Sequence, residues 1–304
     1  MRVHEDPAAV TPPTVAIVLN WNGEHDTMAC LDSLVLQRGA DFAILLVDNA
    51  SADGSGARLH ALYPGVHYLQ TGSNLGYAGG NNRGIAWALG RGARWVLIVN
   101  NDTVAEPDCV RRLLAAAQSC ECVGALAPLI VRFDAPERIW FAGGTFSRLR
   151  ALGRHDHEGR LVTDIVRDAG DGEGWRQCSF LTGCCMLLRA DALEAVGTFR
   201  EDFFAYVEDV ELSLRLARAG WQLGWVPDAR MAHRVPPVGA PPSAMQITLR
   251  DRNRRRLVRD LYPFSSRVAF GLWFLPTRLV TLVRYATARD WERFRAILRG
   301  MRDR

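Results

Sequence analysis

The chain has 304 residues, 48% hydrophobic and 23% charged, which is enough to bury one substantial core or two smaller ones and is not the composition of a disordered chain. Its formal charge of +4 is unevenly spread: residues 250–304 hold 15 Arg against 5 Asp plus Glu, about +10, leaving about −6 for residues 1–249. All 37 basic residues are Arg, so a lysine Schiff base and the lysine-bearing phosphate loop are both excluded.

Residues 1–13 have no apolar stretch behind their charges and read as a disordered leader, neither a secretion signal nor an anchor. From Val15 to Val99, short apolar runs alternate with longer amphipathic ones, the pattern of a mostly parallel sheet covered by helices. Strands are expected at 15–19, 42–47, 66–69 and 95–99, with helices at about 25–37, 55–62 and 80–90. A helix near 106–118 follows, then a polar stretch from 153 to 174 that reads as a long loop or hairpin. CCMLL (184–188) reads as a buried strand. Residues 203–220 carry a helix that opens on acids and stops at Gly220. PPVGAPP (236–242) reads as a mobile loop. Beyond Met245 the chain is helical and basic. The seven cysteines form no CxxC pair, and their odd number suits a reducing compartment such as the cytosol.

Each early strand ends in polar or small residues, and in open α/β sheets ligands bind beyond those ends. After the first come Asn20, Trp21 and Asn22, with Trp21 offering a face for base stacking. After the second come Asp48, Asn49, Ser51, Asp53 and Gly54, which either bind a base or ribose or form an Asx-rich turn capping the next helix. NLGYAGGNNRG (74–84) brings Asn74, Gly76, Gly79, Gly80, Asn81 and Arg83. It reads as a backbone cradle for phosphate at a helix start, or as a flexible turn. Asn100, Asn101 and Asp102 end the fourth strand, and Asp102 is the best carboxylate ligand for Mg²⁺ or Mn²⁺. Glu208 and Asp209 sit at a helix mouth behind Phe203, Phe204 and Tyr206. Desolvation and mutual repulsion suit one of them to act as general base, and Asp209 is favoured; the alternative is that both complement the helix dipole. His233 is a candidate second metal ligand. Arg189 is a candidate for acceptor or diphosphate. His155, Asp156, His157 and Glu158 read as an exposed polar loop, and Cys184–Cys185 as small core residues.

Taken together, VLNWNG (18–23), VDNASADGS (47–55), NLGYAGGNNRG (74–84), VNNDT (99–103), LTGCCMLLR (181–189), FFAYVEDVELSLR (203–215), His233 and RDRNRRRL (250–257) resemble glycosyltransferase family 2, particularly its bacterial rhamnosyltransferase-like members. The resemblance implies a GT-A fold over about 14–245, with a nucleotide-binding half at about 14–127 and an acceptor half at about 128–245. It implies a nucleotide-diphosphate sugar donor, dTDP-L-rhamnose first and UDP- or GDP-sugars next, a divalent cation, and inverting transfer to a glycan or lipid-linked acceptor. Asp48 matches the family's base-binding acid, Trp21 its stacking aromatic, Asp102 the last residue of its DxD motif, and Asp209 its catalytic base. His233 matches a late histidine that helps hold metal or diphosphate. Asn100 and Asn101 depart from the acids of the DxD triplet, which leaves the metal leaning on donor phosphates and His233.

Residues 246–304 read as a basic amphipathic helical extension. Its longest uncharged stretch, Val268 to Thr277, is too short to span a bilayer, which takes about 20 residues. It suits the inner face of the cytoplasmic membrane or a homodimer contact, and it shows no nucleic-acid reading motif. The rival functions are a sugar nucleotidyltransferase and a non-catalytic subunit of a glycan-assembly complex.

Overall fold

The computed structural model describes residues 13–168, 174–237 and 239–303, so the leader, apart from Pro13, lies outside the described residues. In chain order the first half runs β1 (Thr14–Asn20), α1 (Glu24–Val35), β2 (Ala43–Asp48), α2 (Ser55–Leu62), β3 (His67–Gln70), α3 (Gly76–Leu89) and β4 (Trp95–Asn100). It continues through β5 (Thr103–Ala105), α4 (Cys109–Gln118), β6 (Val123–Arg132), β7 (Ile139–Phe141), β8 (Gly144–Ser147), β9 (Leu152–His155) and α5 (Val162–Asp168). Then come β10 (Arg176–Gln177), β11 (Cys185–Arg189), α6 (Ala190–Val196), a 3-10 turn at Glu201–Phe203, α7 (Glu208–Arg218), β12 (Gln222–His233), α8 (Ala244–Leu261), α9 (Phe264–Thr287) and α10 (Trp291–Arg302).

The main sheet has the order β10-β12-β6-β11-β4-β1-β2-β3, with β5 on β12 and β7 on β6. β1, β2, β3 and β4 are mutually parallel, and the first-half expectation of an α/β sheet holds strand for strand. β1 and β4 lie inside the sheet, and helices cover it, so their side chains from Val15 to Val18 and Val96 to Val99 are almost wholly buried. That is why these strands are unbroken runs of Val, Ile and Leu. β11 enters antiparallel between β4 and β6. β5, directly after Asp102, pairs antiparallel with the end of β12 and sets His233 opposite Thr103.

One helix starts earlier than expected. α3 begins at Gly76 rather than near 80, because Gly76 adopts φ 72 and the side-chain oxygen Oδ1 of Asn74 accepts its N–H at 2.9 Å. Inside α3, a Cβ on Gly80 would lie 2.5 Å from Leu19, and one on Gly84 would lie 2.7 Å from Ile17. These glycines let the helix close on β1, a packing role where a phosphate cradle was expected. Cys120 and Cys122 form a disulfide, which the expectation of thiols alone did not include, and Cys30, Cys109, Cys178, Cys184 and Cys185 are free.

The C-terminal helices pack on the rest of the chain. Leu257 and Val258 of α8 and Phe270 and Phe274 of α9 are buried in the main core. Asp251 accepts from Arg278 of α9 at 3.1 Å and pairs with Arg254, whose guanidinium also donates to the Arg150 carbonyl in the β8–β9 turn. No helix among the described residues is long and apolar enough to cross a membrane.

Candidate active site

A cavity of about 1070 Å³ opens at the carboxyl ends of β1, β2 and β4. It gathers Trp21, Asn49, Asn74, Gly76, Asn100, Asn101 and Asp102 from the first half with Glu208, Asp209 and His233 from the second. These are residues from opposite sides of β11, brought together by the closing pairs of β5 and β12.

The floor is a network of short polar side chains. Asn20 is fully buried. Its amide donates to Ser51 Oγ at 3.0 Å and Ser55 Oγ at 2.9 Å, and its carbonyl oxygen accepts from Thr27 Oγ1 at 2.9 Å. Asn22 Oδ1 accepts the Ala52 N–H at 2.8 Å. Asp48 is buried and accepts from Ser51 N at 3.2 Å and from Asn20 and Tyr68 at 3.4 Å. Asn49 donates to Asn74 Oδ1 and the Gly76 carbonyl and accepts from Leu75 N, which ties the 74–76 turn to the end of β2. Trp21 stands above this floor half exposed, at 52%.

Several expected residues do not line the cavity. Asn20, Asn22, Asp48 and Ser51 shape its floor from beneath. Gly80 is packed on Leu19, Asn81 donates back to the Tyr77 carbonyl, and Arg83 is exposed on α3. Arg189 lies at the opposite edge of the sheet: it donates to the Val123 carbonyl at 2.7 Å and stacks over Trp95. β11 runs antiparallel to β4, so its first residues meet the site and its last residue does not. The placement of Arg189 beside acceptor or diphosphate is therefore corrected.

His155 also corrects an expectation. It belongs to β9 and is not an exposed loop residue. Its ring packs edge-on against Trp140 with centroids 4.5 Å apart, and its Nδ1 lies 3.0 Å from the Trp140 carbonyl. Gly144 and Gly153 make this possible, since a Cβ on either would lie within 2.5 Å of the Phe180 ring that covers the hairpin. Burial pushes the His155 imidazole down to about 4, so it is neutral at physiological pH. Trp140, His155, Thr182, Tyr206 and Arg250 also line the cavity. Of these, Arg250, Thr182 and Tyr206 lie in the motifs RDRNRRRL, LTGCCMLLR and FFAYVEDVELSLR. Arg250 has no hydrogen-bond partner among the described residues and brings a positive charge to Asp209.

At the other wall, α7 begins at Glu208. Glu208 is buried, its Oε2 has no hydrogen-bond partner among the described residues, and burial followed by the charge of Asp209 holds its pKa well above the ordinary carboxylate range. Burial also raises Asp209, but its oxygens accept the N–H groups of Gly183 at 3.0 Å and Val210 at 2.8 Å, which favour the ionised form. Burial thus favours the neutral form of both acids, and only Asp209 has backbone N–H groups that support its ionised form.

The sequence profile of glycosyl transferase family 2 matches residues 15–197. The chain belongs to glycosyltransferase family 2. This glycosyltransferase is 35% identical, over 67% of its own length and 70% of the relative's, to the N-acetylglucosaminyl-diphospho-decaprenol L-rhamnosyltransferase of Mycobacterium tuberculosis. It is 26% identical, over 97% and 98% of the two chains, to galactofuranosyltransferase GlfT1 of Mycolicibacterium smegmatis. Among solved structures, the mannosyltransferase PcManGT of Pyrobaculum calidifontis, in complex with GDP-Man and Mn²⁺, superposes with a TM-score of 0.56 at 18% identity. That match covers 97% of this chain and 87% of the other, and it shows the shared GT-A fold.

The second half of the site fits a divalent cation in this glycosyltransferase. Asp102 Oδ1 is buried, has no hydrogen-bond partner among the described residues and lies 3.2 Å from His233 Nε2. Asn101 is engaged elsewhere, donating to Thr27 Oγ1 at 2.8 Å. Among the described residues no three His, Cys, Asp or Glu gather as a metal cage. One carboxylate and one imidazole form a partial donor set of the kind that Mg²⁺ or Mn²⁺ completes with phosphate oxygens and water.

Proposed function

We propose that this glycosyltransferase moves L-rhamnose from dTDP-L-rhamnose to a hydroxyl of a glycan or lipid-linked acceptor, with inversion at the anomeric carbon. The observation that carries the reading is the convergence of the Asp102–His233 pair and the Glu208–Asp209 pair on one cavity. The rhamnose assignment is supported by the 35% identical relative, whose own name states an L-rhamnosyl transfer to a diphospho-decaprenol-linked sugar.

In this mechanism Trp21 stacks on the base, and the Asn49–Asn74 turn, braced from below by Asp48, sets the nucleotide's depth. Asp209 accepts the proton of the acceptor hydroxyl as that oxygen bonds to the anomeric carbon, and the bond to the diphosphate breaks on the opposite face. Burial and the neighbouring Asp209 favour the protonated form of Glu208, which leaves Asp209, with its two N–H donors, the better placed base. Arg250 offers charge-assisted hydrogen bonds to phosphate oxygen. Asp102 and His233 would hold the cation, which when bound neutralises charge on the departing diphosphate.

Incubation of the protein and Mn²⁺ with dTDP-, UDP- and GDP-sugars and candidate acceptors tests this reading. Release of dTDP from dTDP-L-rhamnose with inverted product stereochemistry is the expected result. Release of pyrophosphate identifies a nucleotidyltransferase, and silence with every donor and acceptor a non-catalytic subunit.

A membrane contact through the C-terminal helices belongs to the same proposal. Phe264, Val268, Leu272, Leu275, Leu279 and Val283 of α9 recur every three or four residues and are all exposed, Leu272 at 74%. This uncharged stripe lies in a segment with 15 Arg and 5 acids, which suits anionic headgroups and would repel a second copy. Leu282 and Tyr285 pack beside Ala244 and Ile247, so the stripe runs back toward Met245 and Gln246 at the cavity mouth. The doubly substituted Leu272→Glu, Leu279→Glu protein should lose co-sedimentation with phosphatidylglycerol-rich liposomes while keeping its thermal stability. Undiminished sedimentation refutes the contact, and a concentration-dependent dimer disrupted by the same substitutions assigns the stripe to a second copy.

A further inference from the structure

We propose that Asn253, on α8, is a positioning residue that holds the backbone ahead of the acid pair in the conformation the site needs. Phe204, Tyr206 and Val207 have φ values of 63, 69 and 75, in the left-handed region that residues with a Cβ rarely occupy. No glycine lies between Phe203 and Asp209, so local preference opposes this path. One local bond, from Ala205 N–H to the Phe203 carbonyl at 2.7 Å, closes the turn at Phe204, and tertiary hydrogen bonds hold the rest.

Asn253 is fully buried, and its side-chain amide donates to three carbonyls of this segment: Phe203 at 2.8 Å, Ala205 at 2.9 Å and Tyr206 at 2.8 Å. Its own oxygen accepts from Arg252 Nε at 3.0 Å, which fixes the amide so that its N–H₂ faces the carbonyls. Arg252 also donates to the Phe203 carbonyl at 2.9 Å, and the Ala78 N–H of α3 donates to that of Phe204 at 3.0 Å. Every carbonyl from Phe203 to Tyr206 is therefore taken by a donor outside the segment. Turning these carbonyls toward α8 and α3 delivers Glu208 and Asp209 to the cavity wall, where Gly183 N–H meets Asp209. Asn253 touches no part of the cavity itself.

The consequence for turnover rests on Asp209 being the base, whereas the clamp does not, and two readouts keep them apart. In Asn253→Ala, amide hydrogen exchange across residues 203–210 should accelerate by about tenfold or more, reporting the released segment directly. With dTDP-L-rhamnose and Mn²⁺, kcat should fall about 10²-fold, the cost of a misplaced catalytic group, with KM for the donor little changed and the acid limb of the pH profile displaced. Should Asn253→Ala fail to fold, Arg252→Ala removes a donor at the solvent edge and is read by the same measurements. A folded variant with native exchange over 203–210, or with native kcat and pH profile at reduced thermal stability, overturns the proposal. If the unsubstituted protein turns over no donor, the activity reading fails and exchange alone decides the clamp.

Discussion

Asp209→Asn should fold and bind nucleotide-sugar as the parent does, yet transfer sugar about 10²–10⁴-fold more slowly, the range that a positioned general base supplies. The replacement keeps the shape and one accepting oxygen for the Gly183 N–H, removes the charge, and puts an NH₂ where the second oxygen accepted the Val210 N–H. Glu208→Gln should be milder, because burial and the charge of Asp209 raise the Glu208 pKa and favour the neutral form that Gln mimics. The two variants therefore separate the roles that adjacent acids share on paper. Activity should also decline as pH falls, since the base works only when ionised, and the decline should set in above the pH at which an ordinary aspartate protonates because burial raises Asp209. Single-turnover kinetics with both variants provides the check. Near-parent transfer by Asp209→Asn, or equal damage from the two substitutions, sinks the assignment.

Asp102→Ala carries the second large effect. The carboxylate is the only acid of the Asn100–Asn101–Asp102 triplet, and in the proposed cation site His233 stands beside it at 3.2 Å. Losing it should lower transfer by about 10²–10³-fold, the scale on which single preorganised electrostatic groups act at a departing charge. The Mn²⁺ concentration needed for half-maximal rate should rise in parallel. His233→Ala should move the same curve in the same direction by less, because the carboxylate brings the charge. A Mn²⁺ titration of turnover measures both. An unchanged Mn²⁺ requirement in Asp102→Ala would remove this residue from the cation site.

The donor side of the cavity was legible because its signals are local. NWNG, DNASADGS and NND each sit immediately after a buried apolar strand, and parallel β1, β2 and β4 bring such endings to one edge of the sheet. The acid pair was legible for a similar reason, lying at the first turn of a helix with a clear apolar face. What escaped depends on pairs of distant residues. His155 lies in the polar run HDHEG, and only the fit of Phe180 against Gly144 and Gly153 turns its ring inward. Arg189 follows an apolar strand just as the donor residues do, and nothing in CCMLLR tells that β11 runs the other way. The glycines of NLGYAGG carry the composition of a phosphate loop, but the neighbour that needs Gly80 bare, Leu19 of β1, is 61 residues earlier, and the one that needs Gly76 bare, Phe204, is 128 residues later.

The three bonds from Asn253 span 47 to 50 residues of chain, and that spacing has a bearing on biosynthesis. Translation delivers Glu208 and Asp209 well before the amide that holds the bend in front of them. A nascent chain can therefore assemble its nucleotide-facing half while still attached to the ribosome. With the proposed clamp, its acid pair reaches working geometry only after α8 has emerged and docked.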